Sequence, residues 1–99
     1  MPKINVVIAH EQSPQEVIEK VKPALEKTVS DFQGRDFEID WSDTSAKFRF
    51  KSMAFTITGA MQIDEKQVSV ELDLPFAAMM FKEKARQAIT KNITRALEA

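Results

Sequence analysis

Ninety-nine residues, 43% hydrophobic and 29% charged, suffice for one two-layer core and not for two. A net charge of −1 gives no global field to draw nucleic acid or an anionic membrane, and the absence of cysteine excludes disulfides, a thiol nucleophile and thiolate metal ligation. "INVVIA" is too short for an export segment and no apolar run approaches the roughly 20 residues of a membrane span, so a single cytoplasmic domain over residues 1–99 is expected.

The first predicted element is a strand, KINVVIAH, with Ile4, Val6 and Ile8 on one face. "SPQE" then opens a helix: Ser13 suits the N-cap, Pro14 the first helical position, and Glu16 completes a capping box. Val17, Ile18, Val21, Leu25, Val29 and Phe32 recur at helical spacing, up to Gly34, which is placed to end the helix. Pro23 interrupts this pattern and offers no N–H to the carbonyl of Glu19, so a bend is expected there.

Four alternating strands follow. Phe37, Ile39 and Trp41 share a face, as do Ala46, Phe48 and Phe50; then Phe55, Ile57, Gly59, Met61 and Ile63; then Val68, Val70, Leu72 and Leu74. Charge matching sets the first hairpin register. A turn at Asp43 and Thr44 opposes Trp41 to Ala46, Asp40 to Lys47, Glu38 to Arg49 and Asp36 to Lys51, with Ile39 against Phe48 and Phe37 against Phe50. Trp41 should then be largely buried among these rings. "DEKQ" makes the last turn and sets Ile63 against Val68. Gly59 in mid-strand marks either a bend or the wall of a small pocket.

A helix is expected from about Phe76 almost to the end, with Ala78, Phe81, Ala85, Ala88, Ile89, Ile93 and Ala96 on its core side. The order is β-α-β-β-β-β-α, which predicts a two-layer α+β domain: a curved antiparallel sheet with both helices on one face.

Little in the chain suggests catalysis. His10, the single histidine, is expected to pack or cap a strand end, since no orienting partner accompanies it. No catalytic residue, cofactor or metal site is predicted, and two glycines provide no phosphate loop. Asp40, Asp43, Asp64, Asp73, Glu38 and Glu71 are read as solvated, cross-strand-paired surface. The stripe Lys47, Arg49, Lys51 lacks aromatics on its own face, which argues against nucleic acid.

The apolar run Phe76–Phe81 is the one unusual stretch. It either folds into the open end of the sheet, or leaves Phe76, Met79 and Met80 exposed beside Lys82, Lys84, Arg86, Lys91 and Arg95 as an amphipathic contact surface.

The segment "VSVELDLPFAAMMFKEKARQAITKNITRAL" resembles the end of the polyhydroxyalkanoic acid system proteins, small bacterial proteins encoded near polyester-storage genes. The likeness lies in Leu74-Pro75, the apolar stretch Phe76 to Met80, the pair Phe81-Lys82 and the amphipathic helix to Leu97. His10, Trp41 and the strand "FTITGAMQI" with Gly59 also fit, whereas Val17 and Pro23 depart from the alanine-rich first helix of that family. The resemblance implies a setting, polyester granules and their synthesis genes, and no transferable activity.

The leading expectation is a non-enzymatic accessory protein whose partner is a granule surface or granule-associated protein, contacted through Phe76, Met79, Met80 and Lys84. Two alternatives stay open. One is a carrier of a small apolar ligand, with a pocket of several hundred cubic ångströms lined by Phe48, Phe55, Met61 and Phe81. The other is a homodimer burying Phe76 and Met80.

Overall fold

The alternating segments form five strands in a computed structural model that describes residues 3–98. They are β1 (Lys3–Ala9), β2 (Arg35–Ser42), β3 (Ser45–Ser52), β4 (Phe55–Ile63) and β5 (Gln67–Asp73). Helix α1 (Pro14–Asp31) follows β1, and helix α2 (Lys82–Glu98) follows β5 after a 3-10 turn at Phe76–Phe81. The sheet order is β1-β5-β4-β3-β2 with every pair antiparallel. Val6, Phe48, Met61, Val70 and Leu72 on one sheet face join Val17, Val21 and Leu25 of α1 and Ala85, Ile89 and Ile93 of α2 in one buried core. This is the expected α+β arrangement.

Helix α1 starts where its sequence says. Ser13 is the N-cap, and its hydroxyl accepts the Glu16 N–H at 3.3 Å. The Glu16 carboxylate accepts from that same hydroxyl rather than from a backbone N–H, a variant of the capping box. The helix runs unbroken through Pro23, which is exposed, so the Glu19 carbonyl it leaves without a donor is on the solvent side.

At the other end, Gln33 and not Gly34 takes the left-handed position, with φ 56°. Gln33 N–H donates to Ser30 O at 2.9 Å and Gly34 N–H to Val29 O at 2.8 Å, the two bonds of a Schellman cap. Gly34 is needed for space: a Cβ there would meet Val29 Cγ1 at 2.5 Å and Phe50 Cδ2 at 3.0 Å.

The first hairpin keeps the charge-matched register over Trp41–Ala46, Asp40–Lys47, Ile39–Phe48 and Glu38–Arg49. Beyond that it slips. A bulge between Arg35 and Glu38, with Asp36 at φ 54°, pairs Arg35 instead of Asp36 with Lys51. Asp36 still reaches Lys51 by side chain at 3.9 Å. Phe37 is moved off Phe50 and meets Phe48 edge-on, ring centroids 6.5 Å apart. Trp41 is only half-buried, because β2 is an edge strand; Lys22 Nζ lies 5.6 Å over its ring.

The β4–β5 turn sets Ile63 against Val68 as expected, with Asp64 Oδ1 accepting the N–H groups of Lys66 and Gln67, both at 2.8 Å. Gly59 pairs with Phe48 on one side and Leu72 on the other, and a Cβ there would collide with the Phe48 ring and with Leu72 Cδ2. The missing side chain is thus the seat of the Phe48 ring.

Phe48→Ala should destabilise by about 3–5 kcal/mol in denaturant unfolding; a loss below about 1 kcal/mol would mean that Phe48 does not anchor the core. The Arg49–Glu38 bond is 2.6 Å but exposed. Arg49→Glu should therefore lose no more than roughly 1 kcal/mol, and adding Glu38→Lys should recover part of it.

Candidate functional site

Pro75 ends the sheet. It has no N–H for the ladder, and its extended backbone (φ −63°, ψ 154°) turns the chain over the sheet end with Leu74 tucked into the core. The next six residues form a 3-10 turn rather than the start of an α-helix, closed by Ala78 N–H to Pro75 O at 2.9 Å.

The rows of this turn show which side chains are turned outward. With three residues per turn, residues i and i+3 eclipse, so the turn has three rows. The row of Ala78 and Phe81 faces inward: Ala78 is 2% exposed and Phe81 half-buried. The row of Phe76 and Met79 is 71% and 47% exposed, and Met80, beside exposed Ala77, is 81% exposed. Phe76 and Met80 therefore do not fold into the open end of the sheet. Lys84, also exposed, stands one turn further on in α2.

Beside this turn lies a groove of about 150 Å³ bordered by Phe32, Phe55, Ile57, Phe81, Met53 and Lys84. Met53 belongs to the β3–β4 turn, is 59% exposed and has φ 56°, a left-handed conformation unusual for a large apolar residue. Its carbonyl accepts from Arg35 Nη2 at 3.1 Å. Sequence reading missed Met53, though the signal was present: "SMAF" places methionine where a two-residue hairpin turn favours Gly, Asn or Asp.

The four residues expected to line one ligand pocket are not brought together. Phe55 and Phe81 border the groove, Phe48 borders a separate void of about 30 Å³, and Met61 touches neither. Both spaces between sheet and α2 fall below the ~300 Å³ typical of a small-molecule site.

Asp31 stands on the groove rim that Lys84 shares. Asn92 is buried between the helices, donating to Thr28 Oγ1 at 2.8 Å and to Asp31 Oδ2 at 3.2 Å. That second bond holds the Asp31 carboxyl below its usual range, against the opposing effect of burial and with help from Lys27 at 3.4 Å. The sequence wheel missed Asn92 because it counts apolar residues only. Leu97 is buried, while Ala88 and Ala96, both expected on the core side, are half-buried.

His10 has a structural role. Its Nδ1 accepts the Gln12 N–H at 3.1 Å, and Nε2 contacts the Asp64 carbonyl at 2.8 Å. Gln12 in turn donates to Leu97 O at 2.7 Å and accepts from Lys20 at 2.6 Å. The loop after β1 thus ties the β4–β5 turn to the end of α2. The Asp64 carboxyl is held low by its two backbone N–H donors. Among the described residues, no cluster of three or more His, Asp or Glu could hold a metal ion, and no helix is long and apolar enough to cross a membrane.

The family described as "Putative polyhydroxyalkanoic acid system protein" matches residues 4–97, so the chain belongs to that family. No protein of curated function matches the sequence. Among solved structures the chain is similar to Ara h 8.0201, with TM-score 0.54 and 11% identity, covering 99% of this chain and 99% of that one. It is also similar to a Thermus thermophilus protein, TTHA0849, with TM-score 0.44 and 11% identity, covering 98% and 94%. At this identity the first likeness is one of fold alone, and the second is too distant to carry an argument.

Asn92→Ala should raise the Asp31 titration midpoint toward the ordinary carboxylate value, as followed by NMR. A depressed carboxyl contributes stability that is present above its unfolded pKa and lost as pH falls through the folded one. The variant should therefore lose less stability than the native chain on acidification. An unchanged midpoint would remove Asn92 as the cause.

Proposed function

We propose that this member of the polyhydroxyalkanoic acid system family is a non-enzymatic accessory protein of polyester storage, bound to the granule surface or to a protein on it. The contact is made by Phe76, Met79 and Met80, with Lys84 beside them. One observation carries this reading: three large apolar side chains stand exposed in a single 3-10 turn whose third row is anchored in the core. The turn does not need them for its own packing, because Ala78 and Phe81 serve that purpose. Left in water they stabilise nothing, whereas burying each against an apolar surface contributes roughly 1.5–3 kcal/mol. Patches of this kind, rimmed by polar residues, mark contact sites.

Changing Phe76 and Met80 together to Ser should leave the thermal midpoint within a few degrees of the native value and abolish co-sedimentation with isolated polyester granules. Unfolding of the double variant would show that the residues hold the core. A folded variant that still sediments with granules would remove the patch as the contact. If only a dimer is lost, and granule binding persists, the patch joins two copies of the chain instead.

A further inference from the structure

The chain's charge is unevenly placed. Residues 82–98 of α2 hold five cations and two carboxylates, a net +3 in a chain whose total is −1, so the remainder is −4. The cations also differ in company. Outside α2, Lys3, Lys22, Lys27, Arg49 and Lys51 each have a carboxylate within 4.0 Å, while Arg35, Lys47 and Lys66 are scattered cations without one among the described residues. On α2 only Arg86 has one, 3.1 Å from Glu83. Lys84, Lys91 and Arg95 have no such ion pair among the described residues.

Those three cations form a line. At 100° per residue they fall within about 40° of one another and span about 16 Å along the helix. All three are exposed. From the α1 side, Lys20 and Lys27 border the groove of about 280 Å³ that Arg95 and Asn92 border from α2. The carboxylate facing the row from α1 is Asp31, bonded to Lys27 and Asn92 and also within the field of Lys91; the two α2 acids, Glu83 and Glu98, sit at its ends. At the start of the row, one turn before Lys84, stands Met80 in its exposed apolar turn.

We infer that the surface bound is an anionic phospholipid layer, engaged by the Lys84–Lys91–Arg95 row with Phe76 and Met80 inserted at its end. This rests on the reading of that turn as the contact site and names its partner. A line of exposed cations with no carboxylate in direct contact meets phosphate headgroups, and an apolar turn at one end of it meets acyl chains. The pairing is that of an interfacial amphipathic element. An acidic protein segment would meet the charge but leave the apolar turn without a phase to enter.

The test is flotation of the full chain with phosphatidylglycerol-containing vesicles and with pure phosphatidylcholine vesicles. The protein should partition to the former, and less so as ionic strength rises. Replacing Lys84, Lys91 and Arg95 together with Gln should lower that partition about hundredfold, since each neutralised cation near the surface is worth about fivefold. Gln is a good helix former, so the variant's circular dichroism and thermal midpoint should match the native chain. Equal partition to both vesicles, or a triple variant that binds as the native chain does, overturns the inference. Equal retention by a soluble polyanion overturns it too, by showing that charge alone suffices. Binding to lipid-free polyester particles through Phe76 and Met80, with no flotation on either vesicle, overturns the lipid partner and leaves the granule contact standing. Failure on granules, particles and vesicles alike removes both.

Discussion

The side chains of the 3-10 turn at Phe76–Phe81 fall in three rows, and only one of them is turned into the core. The connection between sheet and second helix depends on that arrangement. Pro75 stops β5 from continuing and sends the chain across the sheet end, and the six residues that follow must bridge to α2. Ala78 and Phe81 take the buried row, which fixes the turn against the core. Phe76, Met79 and Met80 are then outside by geometry, whatever their hydrophobicity.

The rest of the molecule holds that turn in place. The bare backbone of Gly59 admits the Phe48 ring between β4 and its neighbours, and the helices close over it. Asn92 joins the helices to each other through Thr28 and Asp31. His10 and Gln12 tie the loop after β1 to the β4–β5 turn and to the end of α2. The polar residues inside this small protein are thus occupied with joining elements. Apart from Val7 on the open face of β1, its large exposed apolar residues are those of the 3-10 turn and Met53 of the β3–β4 turn, which borders the same groove as Phe81.

Much of this was legible in the sequence, wherever a period or a charge pair set the answer. Element order, the Ile63–Val68 pairing and four steps of the first hairpin register follow from alternation and from Glu38, Asp40, Lys47 and Arg49. What escaped was local and irregular. The bulge at Asp36 breaks the alternation without any change of residue type, and it moved Phe37 from Phe50 to Phe48. Gly34 signals a helix end, yet Gln33 takes the left-handed turn because Gly34 is needed for clearance against Val29 and Phe50. Trp41 looked like core because its face is apolar, but an edge strand covers one flank only. The apolar run Phe76–Phe81 fits 3.6 or 3.0 residues per turn equally well, so its exposed members could be named from the sequence but their exposure could not be decided.

The most direct test of the exposed turn as the point of contact is a fluorescence reading at residue 80. With Trp41 changed to Phe and Met80 to Trp, the single indole reports the polarity around that one position. Free in solution it should emit as a water-exposed tryptophan, and addition of isolated polyester granules should shift its emission to shorter wavelength. Emission that stays at the water-exposed position while the protein sediments with the granules would contradict the role assigned to this turn.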